Sequence, residues 1–277
     1  MKSVLLLGQS NMAGRGFAQE TLPIYNENLF MLRNGRWQMM VEPIHFDRPT
    51  AGVGLAASFA QAWSHANKNE QLGLIPCAEG GSTIDEWNIH GSLFRHAVYE
   101  AKFAMENSEI IAVLWHQGES DSSQGKYQEY YTKLDTIINT LRQKLQIYDV
   151  PVILGGLADF LGKDGFGAGC NEYEYINKEL YKYAENNKNC YFVTGKKLYS
   201  NPDGIHINAE SLRRFGIRYF EAFQSASNID EPLDNETMRV NELCQKEHSP
   251  AIKRYLAIEE FSKGNITFEE VMTKIKE

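Results

Sequence analysis

Lys2-Ser3-Val4-Leu5-Leu6-Leu7-Gly8-Gln9-Ser10-Asn11-Met12 opens the chain and decides its fold. An apolar run of strand length, stopped by a glycine and followed by polar residues, has the form of a buried parallel strand that delivers a loop to one edge of a sheet. The same form returns at residues 72–75, 110–115, 152–154 and 191–193, each followed within a few positions by Gly or a polar cluster. Between these runs, residues 53–67, 93–107, 126–146, 171–186 and 209–225 carry helical patterning. Such alternation predicts a doubly wound α/β sheet with helices on both faces. Asn34-Gly35, inside residues 29–37, predicts a small hairpin.

Beyond Ser225 the pattern changes. No strand-like run recurs, and residues 228–277 hold 7 basic and 11 acidic side chains, so 7 − 11 leaves −4 of the total net charge of −8. Ser249-Pro250 reads as a helix cap and first turn, Gly264 as a stop, and Thr267 with Glu270 as a capping box. The expected organisation is a catalytic domain over residues 1–226 and a helical extension over 227–277.

The remaining bulk properties exclude several classes. At 277 residues, with 43% hydrophobic and 23% charged side chains, the chain is an ordinary globular protein of one large domain plus an appendage, or two small ones. An acidic surface with no Lys/Arg cluster disfavours nucleic acid and anionic membranes as partners. Val4–Leu7 is too short for a signal-peptide core and no run approaches the ~20 apolar residues of a membrane span, so a cytoplasmic location is expected. Cys77, Cys170, Cys190 and Cys244 form no CxxC pair, which points to free thiols. Nothing in the sequence specifies an oligomeric state.

In an open parallel sheet, ligands bind beyond the carboxyl ends of the strands. Four segments there carry chemistry. Gly8-Gln9-Ser10-Asn11-Met12-Ala13-Gly14 lacks the Lys and Ser/Thr of a phosphate loop, and Met12 replaces the second glycine of a GxSxG elbow. What is left is a strand-end serine, read as either a helix cap or a nucleophile. Glu79-Gly80-Gly81-Ser82-Thr83 is either a tight turn or a backbone that lets N–H groups approach a ligand. In Trp115-His116-Gln117-Gly118-Glu119-Ser120-Asp121 a buried strand ends in side chains suited to hydrogen-bonding a substrate or oxyanion. In Asp203-Gly204-Ile205-His206 the i, i+3 spacing lets the carboxylate reach Nδ1 of the imidazole and leaves Nε2 free as a base.

Taken in order, these segments resemble the four blocks of an SGNH-type hydrolase, and more narrowly the sialate O-acetylesterase and acetylxylan esterase group, carbohydrate esterase family six. The likeness covers roughly residues 1–226. It implies a flavodoxin-like three-layer α/β/α sandwich with a parallel central sheet, hydrolysing O-acetyl esters of carbohydrates without a metal or organic cofactor. By the same resemblance Ser10 is the nucleophile, His206 the general base and Asp203 its supporting acid. The oxyanion is held by the backbone N–H of Ser10 and of Gly81, with Gly80 as the second choice, and Gln117 fills a position where many of these enzymes carry an Asn donor. Glu119 stands as a rival acid partner. Two other functions stay open: an arylesterase or lipase-like enzyme for a non-sugar ester, and an inactive sugar-binding homologue. Trp37, Trp87, Tyr25 and Phe166 are candidates to stack on a sugar ring.

Overall fold

A computed structural model of the chain describes residues 1–244 and 248–276. Strand β1 (Lys2–Gly8) leads into a one-turn helix α1 (Ser10–Ala13), then the hairpin strands β2 (Leu29–Arg33) and β3 (Arg36–Met39) and helix α2 (Leu55–Ala66). There follow β4 (Leu72–Pro76), α3 (Ser92–Met105), β5 (Glu109–His116), α4 (Tyr127–Leu145), β6 (Val152–Gly155), α5 (Tyr173–Asn186), β7 (Cys190–Val193) and α6 (Ala209–Ser225). Helices α7 (Glu236–Cys244), α8 (Pro250–Ser262) and α9 (Phe268–Lys276) complete the described chain.

The seven strands form one sheet in the order β3-β2-β4-β1-β5-β6-β7. All neighbours are parallel except the β2–β3 hairpin, which turns through Asn34 and Gly35, both at positive φ (52° and 69°) as a two-residue primed turn requires. With the hairpin set aside, the remaining strands follow the 2-1-3-4-5 order of flavodoxin-like sheets, whose ligand crevice opens where the order reverses beside the first strand.

Alternation within β1 builds the layers. Val4 and Leu6 enter the core shared with α2 and α6, while Leu5 and Leu7 enter the core shared with α3, α4 and α5. All four are at most 1% exposed. At roughly 1.5–3 kcal/mol for each side chain of this size removed from water, a strand apolar on both faces is stable only at the sheet's centre. The four cysteines are free, three of them buried.

The C-terminal helices are tied to the sandwich by a buried ion pair. Arg218 on α6 donates to both carboxylate oxygens of Glu236 at 2.7 Å and to the carbonyls of Thr194 and Lys196 at 2.9 and 2.8 Å. Gln61 of α2 donates to the Leu243 carbonyl at 3.1 Å. The expected caps are present: Ser249 accepts from the Ile252 N–H, and Thr267 and Glu270 cap each other. Removing one partner of a buried pair costs up to about 3–5 kcal/mol; Glu236 would keep the longer contact with Arg214 Nη1 at 3.5 Å. Arg218→Met is therefore expected to lower stability by about that amount in urea unfolding, and a loss below about 1 kcal/mol would show that the tail is not fastened here.

Candidate active site

Ser10 sits where β1 passes into α1, and its position depends on how closely β1 and β5 finish together. Gly8 has φ +132°, and a Cβ there would lie 1.9 Å from the His116 carbonyl oxygen, so only glycine fits. The Gln9 N–H then donates to that same carbonyl at 2.9 Å. The Gln9 side-chain oxygen accepts from Gln117 Nε2 at 3.2 Å and from the Gly118 N–H at 3.1 Å. On the other side, the Glu79 N–H donates to the Gly8 carbonyl at 3.0 Å, which docks the glycine-pair loop.

Asn11 recruits the fourth segment. Its Oδ1 accepts from the Ile207 N–H at 2.9 Å and its Nδ2 donates to the Ile205 carbonyl at 3.2 Å, so one amide grips the backbone on both sides of His206. The imidazole is turned by Asp203, whose Oδ2 lies 2.7 Å from His206 Nδ1. The second oxygen of Asp203 accepts the N–H groups of Ile205 and His206, each at 3.0 Å. Partial burial pushes the Asp203 carboxyl upward, but the hydrogen bonds from the His206 backbone, the His206 ring and Ile205 outweigh it and hold its pKa below the ordinary value. No hydrogen bond joins Ser10 Oγ to His206 Nε2; the two segments are linked through Asn11.

Glu119 does not reach His206. Its Oε1 accepts from Asn11 Nδ2 at 2.5 Å and faces His116 Nε2 at 3.1 Å, and the residue is 4% exposed. Burial alone would raise its pKa, yet the charge and hydrogen bond of His116 and the hydrogen bond of Asn11 bring it below the usual range. In this arrangement Glu119 holds the amide that holds the histidine segment, and Asp203 is the carboxylate in contact with the imidazole. Gln117 is fully buried, and its amide nitrogen faces Gln9 Oε1, the Ser82 carbonyl at 3.1 Å and Asp121 at 2.6 Å, contacts that brace the loop. Asp121 also receives the Ile84 N–H at 2.8 Å; burial raises its pKa.

The two glycines separate cleanly. The Gly80 N–H donates to Asp47 Oδ2 at 2.8 Å, whereas the N–H groups of Gly81 and Ser10 have no acceptor among the described residues. Asp47 is itself paired with Arg15 at 2.5 Å, the two side chains being 2% and 7% exposed. No spacing rule links positions 15 and 47, and no reading of the sequence found the pair. Of the aromatic candidates, Trp87 is fully buried against Trp115, Tyr25 packs on His248 and Tyr255, and the Trp37 ring covers Gly73. Those three are packing residues; Phe166, on the loop that docks to the Asp203 carbonyl, stays exposed.

A parallel sheet with a strand-end serine, an Asp–His pair held beside it and two unspent backbone N–H groups defines the class of SGNH-type ester hydrolases. Residues 1–225 match the family model described as carbohydrate esterase, sialic acid-specific acetylesterase, and the chain belongs to that family. It is a carboxylic ester hydrolase of the carbohydrate esterases. A probable carbohydrate esterase of Arabidopsis thaliana is 30% identical over 246 residues, covering 80% of this chain and 89% of the relative. A solved Arabidopsis thaliana structure superposes with a TM-score of 0.73 at 27% identity, covering 81% of this chain and 98% of that one. A carbohydrate acetylesterase from Xanthomonas citri shares the fold at a TM-score of 0.58 and 17% identity, over 80% of this chain and 55% of that chain.

The two acids are expected to separate in kinetics. Asp203→Asn should lower kcat by about 10⁴, the scale set by loss of the acid that fixes the imidazole tautomer in the serine-protease template. Glu119→Gln keeps an acceptor for Asn11 and should lose less, no more than about 10²–10³. Steady-state rates on p-nitrophenyl acetate check this, and a reversed order would return Glu119 to the role of triad acid.

Proposed function

We propose that the protein removes O-acetyl groups from carbohydrates, of the acetylated xylo-oligosaccharide or sialic acid type, through a covalent acyl-enzyme on Ser10. The observation that carries this reading is the 2.7 Å contact between Asp203 Oδ2 and His206 Nδ1, in a segment that Asn11 fastens next to Ser10. That contact makes Nδ1 the protonated nitrogen and leaves Nε2 with its lone pair. Ser10 Oγ attacks the ester carbonyl while Nε2 takes its proton, and Asp203 stabilises the imidazolium that results. The carbonyl oxygen becomes an oxyanion facing the N–H groups of Ser10 and Gly81, each such donor being worth about 10²–10³ in rate. Collapse breaks the bond to the sugar oxygen, which leaves as an alcohol with the proton from Nε2. Water then enters, gives its proton to Nε2 and attacks the acetyl-serine; the second collapse releases acetate and returns the proton to Oγ.

Ser10→Ala is expected to abolish ester hydrolysis and labelling by a serine-directed fluorophosphonate, with the melting profile unchanged. Near wild-type turnover in the mutant would place the nucleophile elsewhere.

The acyl side of the pocket should favour acetate. No long apolar stretch flanks the four segments, so an added methylene does not recover the ~0.8 kcal/mol available from apolar burial. Across p-nitrophenyl esters, kcat/KM should fall from acetate to octanoate. A steady rise along that series would refute the acetyl-ester reading in favour of a lipase-like enzyme.

A further inference from the structure

The loop that carries Gly80 and Gly81 is flanked by two cavities. One, of about 610 Å³, is bordered by Arg48, Gly81 and Asn88. The other, of about 410 Å³, is bordered by Arg33, Phe46, Asp47, Cys77 and Glu100. Glu79 and Leu93 line both, so the two adjoin along the carboxyl edge of β4 and β2, the same edge on which Ser10 lies.

Phe46 is the unusual member. It is 68% exposed, and the Arg33 guanidinium lies over its ring, 3.9 Å from the centroid. Arg33 is anchored in turn on the Pro43 carbonyl at 2.6 Å. With a cation on one face, the exposed area belongs to the other face and the edge. A lone exposed apolar side chain is ordinary. One stacked on an anchored cation and lining a polar cavity is arranged like a ligand platform, in which a flat apolar surface gives area and a few polar groups give orientation. Glu100 supplies such a group, for its carboxylate has no hydrogen bond or ion pair among the described residues. Asp47, the residue after Phe46, holds the Gly80 N–H. One short segment thus fixes both the platform and the loop next to Ser10.

We propose that the second cavity is a saccharide subsite, in which a sugar ring beyond the acetylated one lays its C–H face on Phe46 and offers hydroxyls to Glu100. The enzyme then reads an oligosaccharide and not a single sugar. This rests on the carbohydrate acetylesterase reading above and adds to it the length of the substrate. A pyranose suits the site because it has an apolar face for the ring and vicinal hydroxyls that one carboxylate can accept together.

Rates of the full-length wild type, Phe46→Ala and Glu100→Gln on p-nitrophenyl acetate, monoacetylated xylose and acetylated xylotetraose test the proposal. The wild type should prefer the xylotetraose ester to the xylose ester. In Phe46→Ala the ratio of kcat/KM for the xylotetraose ester to that for p-nitrophenyl acetate should fall roughly tenfold, mostly through KM, with a smaller fall in Glu100→Gln. Equal losses on all three esters, or no loss, would overturn it. Binding of unacetylated xylotetraose, followed by saturation-transfer NMR, separates the subsite from the chemistry. If no acetylated sugar is turned over but xylotetraose binds in a Phe46-dependent way, the esterase reading fails and the subsite stands. Binding that ignores Phe46→Ala overturns the subsite whatever the turnover.

Discussion

The site depends on which way the Asn11 amide points. Its oxygen must face the Ile207 N–H and its nitrogen the Ile205 carbonyl if the chain around His206 is to lie against the end of β1. A carboxylate is acceptor-only, so Glu119 at 2.5 Å from Nδ2 admits just one orientation of that amide. A hydrogen bond to a charged acceptor is also roughly twice as strong as a neutral one. Burying the charge is costly, and the partner that offsets the cost is His116, at the end of β5. The central strand pair β1 and β5 therefore does more than position Ser10: through Glu119 and Asn11 it positions a histidine about 200 residues away in sequence.

The two carboxylates divide the work according to their surroundings. Asp203 is partly exposed and satisfied by its own turn, so it orients the imidazole with little help from the rest of the fold. Glu119 is enclosed, and its Oε1 is held by Asn11 at the end of β1 and His116 at the end of β5, so its effect is on the assembly of loops. In both, the folded-state pKa lies below the ordinary value. Groups of this kind contribute stability at pH above their unfolded pKa, and the contribution is lost as pH falls through the folded value. Acid thus acts on the Asp203–His206 pair and on the Asn11–Glu119 contact by the same route.

The layers were readable because each depends on local periodicity. Alternation across β1 and the Asn34-Gly35 turn are short-range signals, and all five parallel runs and the hairpin are found in the sheet. Asp203 and His206 were readable for the same reason, as their contact spans three positions. The rest of the site is made of contacts between distant segments, and residue type alone does not give the direction of a side chain there. Gln117 and Glu119 sit at a strand end in sequence, but direction separates facing the pocket from bracing the loop beneath it. Trp87 follows the glycine pair closely, yet its ring turns inward, donating from Nε1 to Ser82 at 3.0 Å. No motif surrounds Phe46, so its place in the cavity is not legible in the sequence.

The choice between Gly80 and Gly81 shows how such distant contacts fix chemistry. Both glycines have a backbone N–H that could serve an oxyanion. Asp47 removes one of them by accepting the Gly80 N–H, and it can hold that position because Arg15, seven residues beyond Gly8, neutralises it in a nearly closed environment. Gly81 is then left with its N–H unspent, at φ +78°, with nothing within 4 Å of where a Cβ would stand. The demand for glycine at 81 is therefore one of backbone conformation and not of space, whereas at 80 a Cβ would meet Arg15 Nη2 at 2.4 Å and Asp47 Oδ2 at 2.7 Å. Two adjacent glycines serve different ends: the first makes room for the ion pair that takes up its own N–H, and the second supplies the turn that leaves a donor exposed on the loop docked to Gly8.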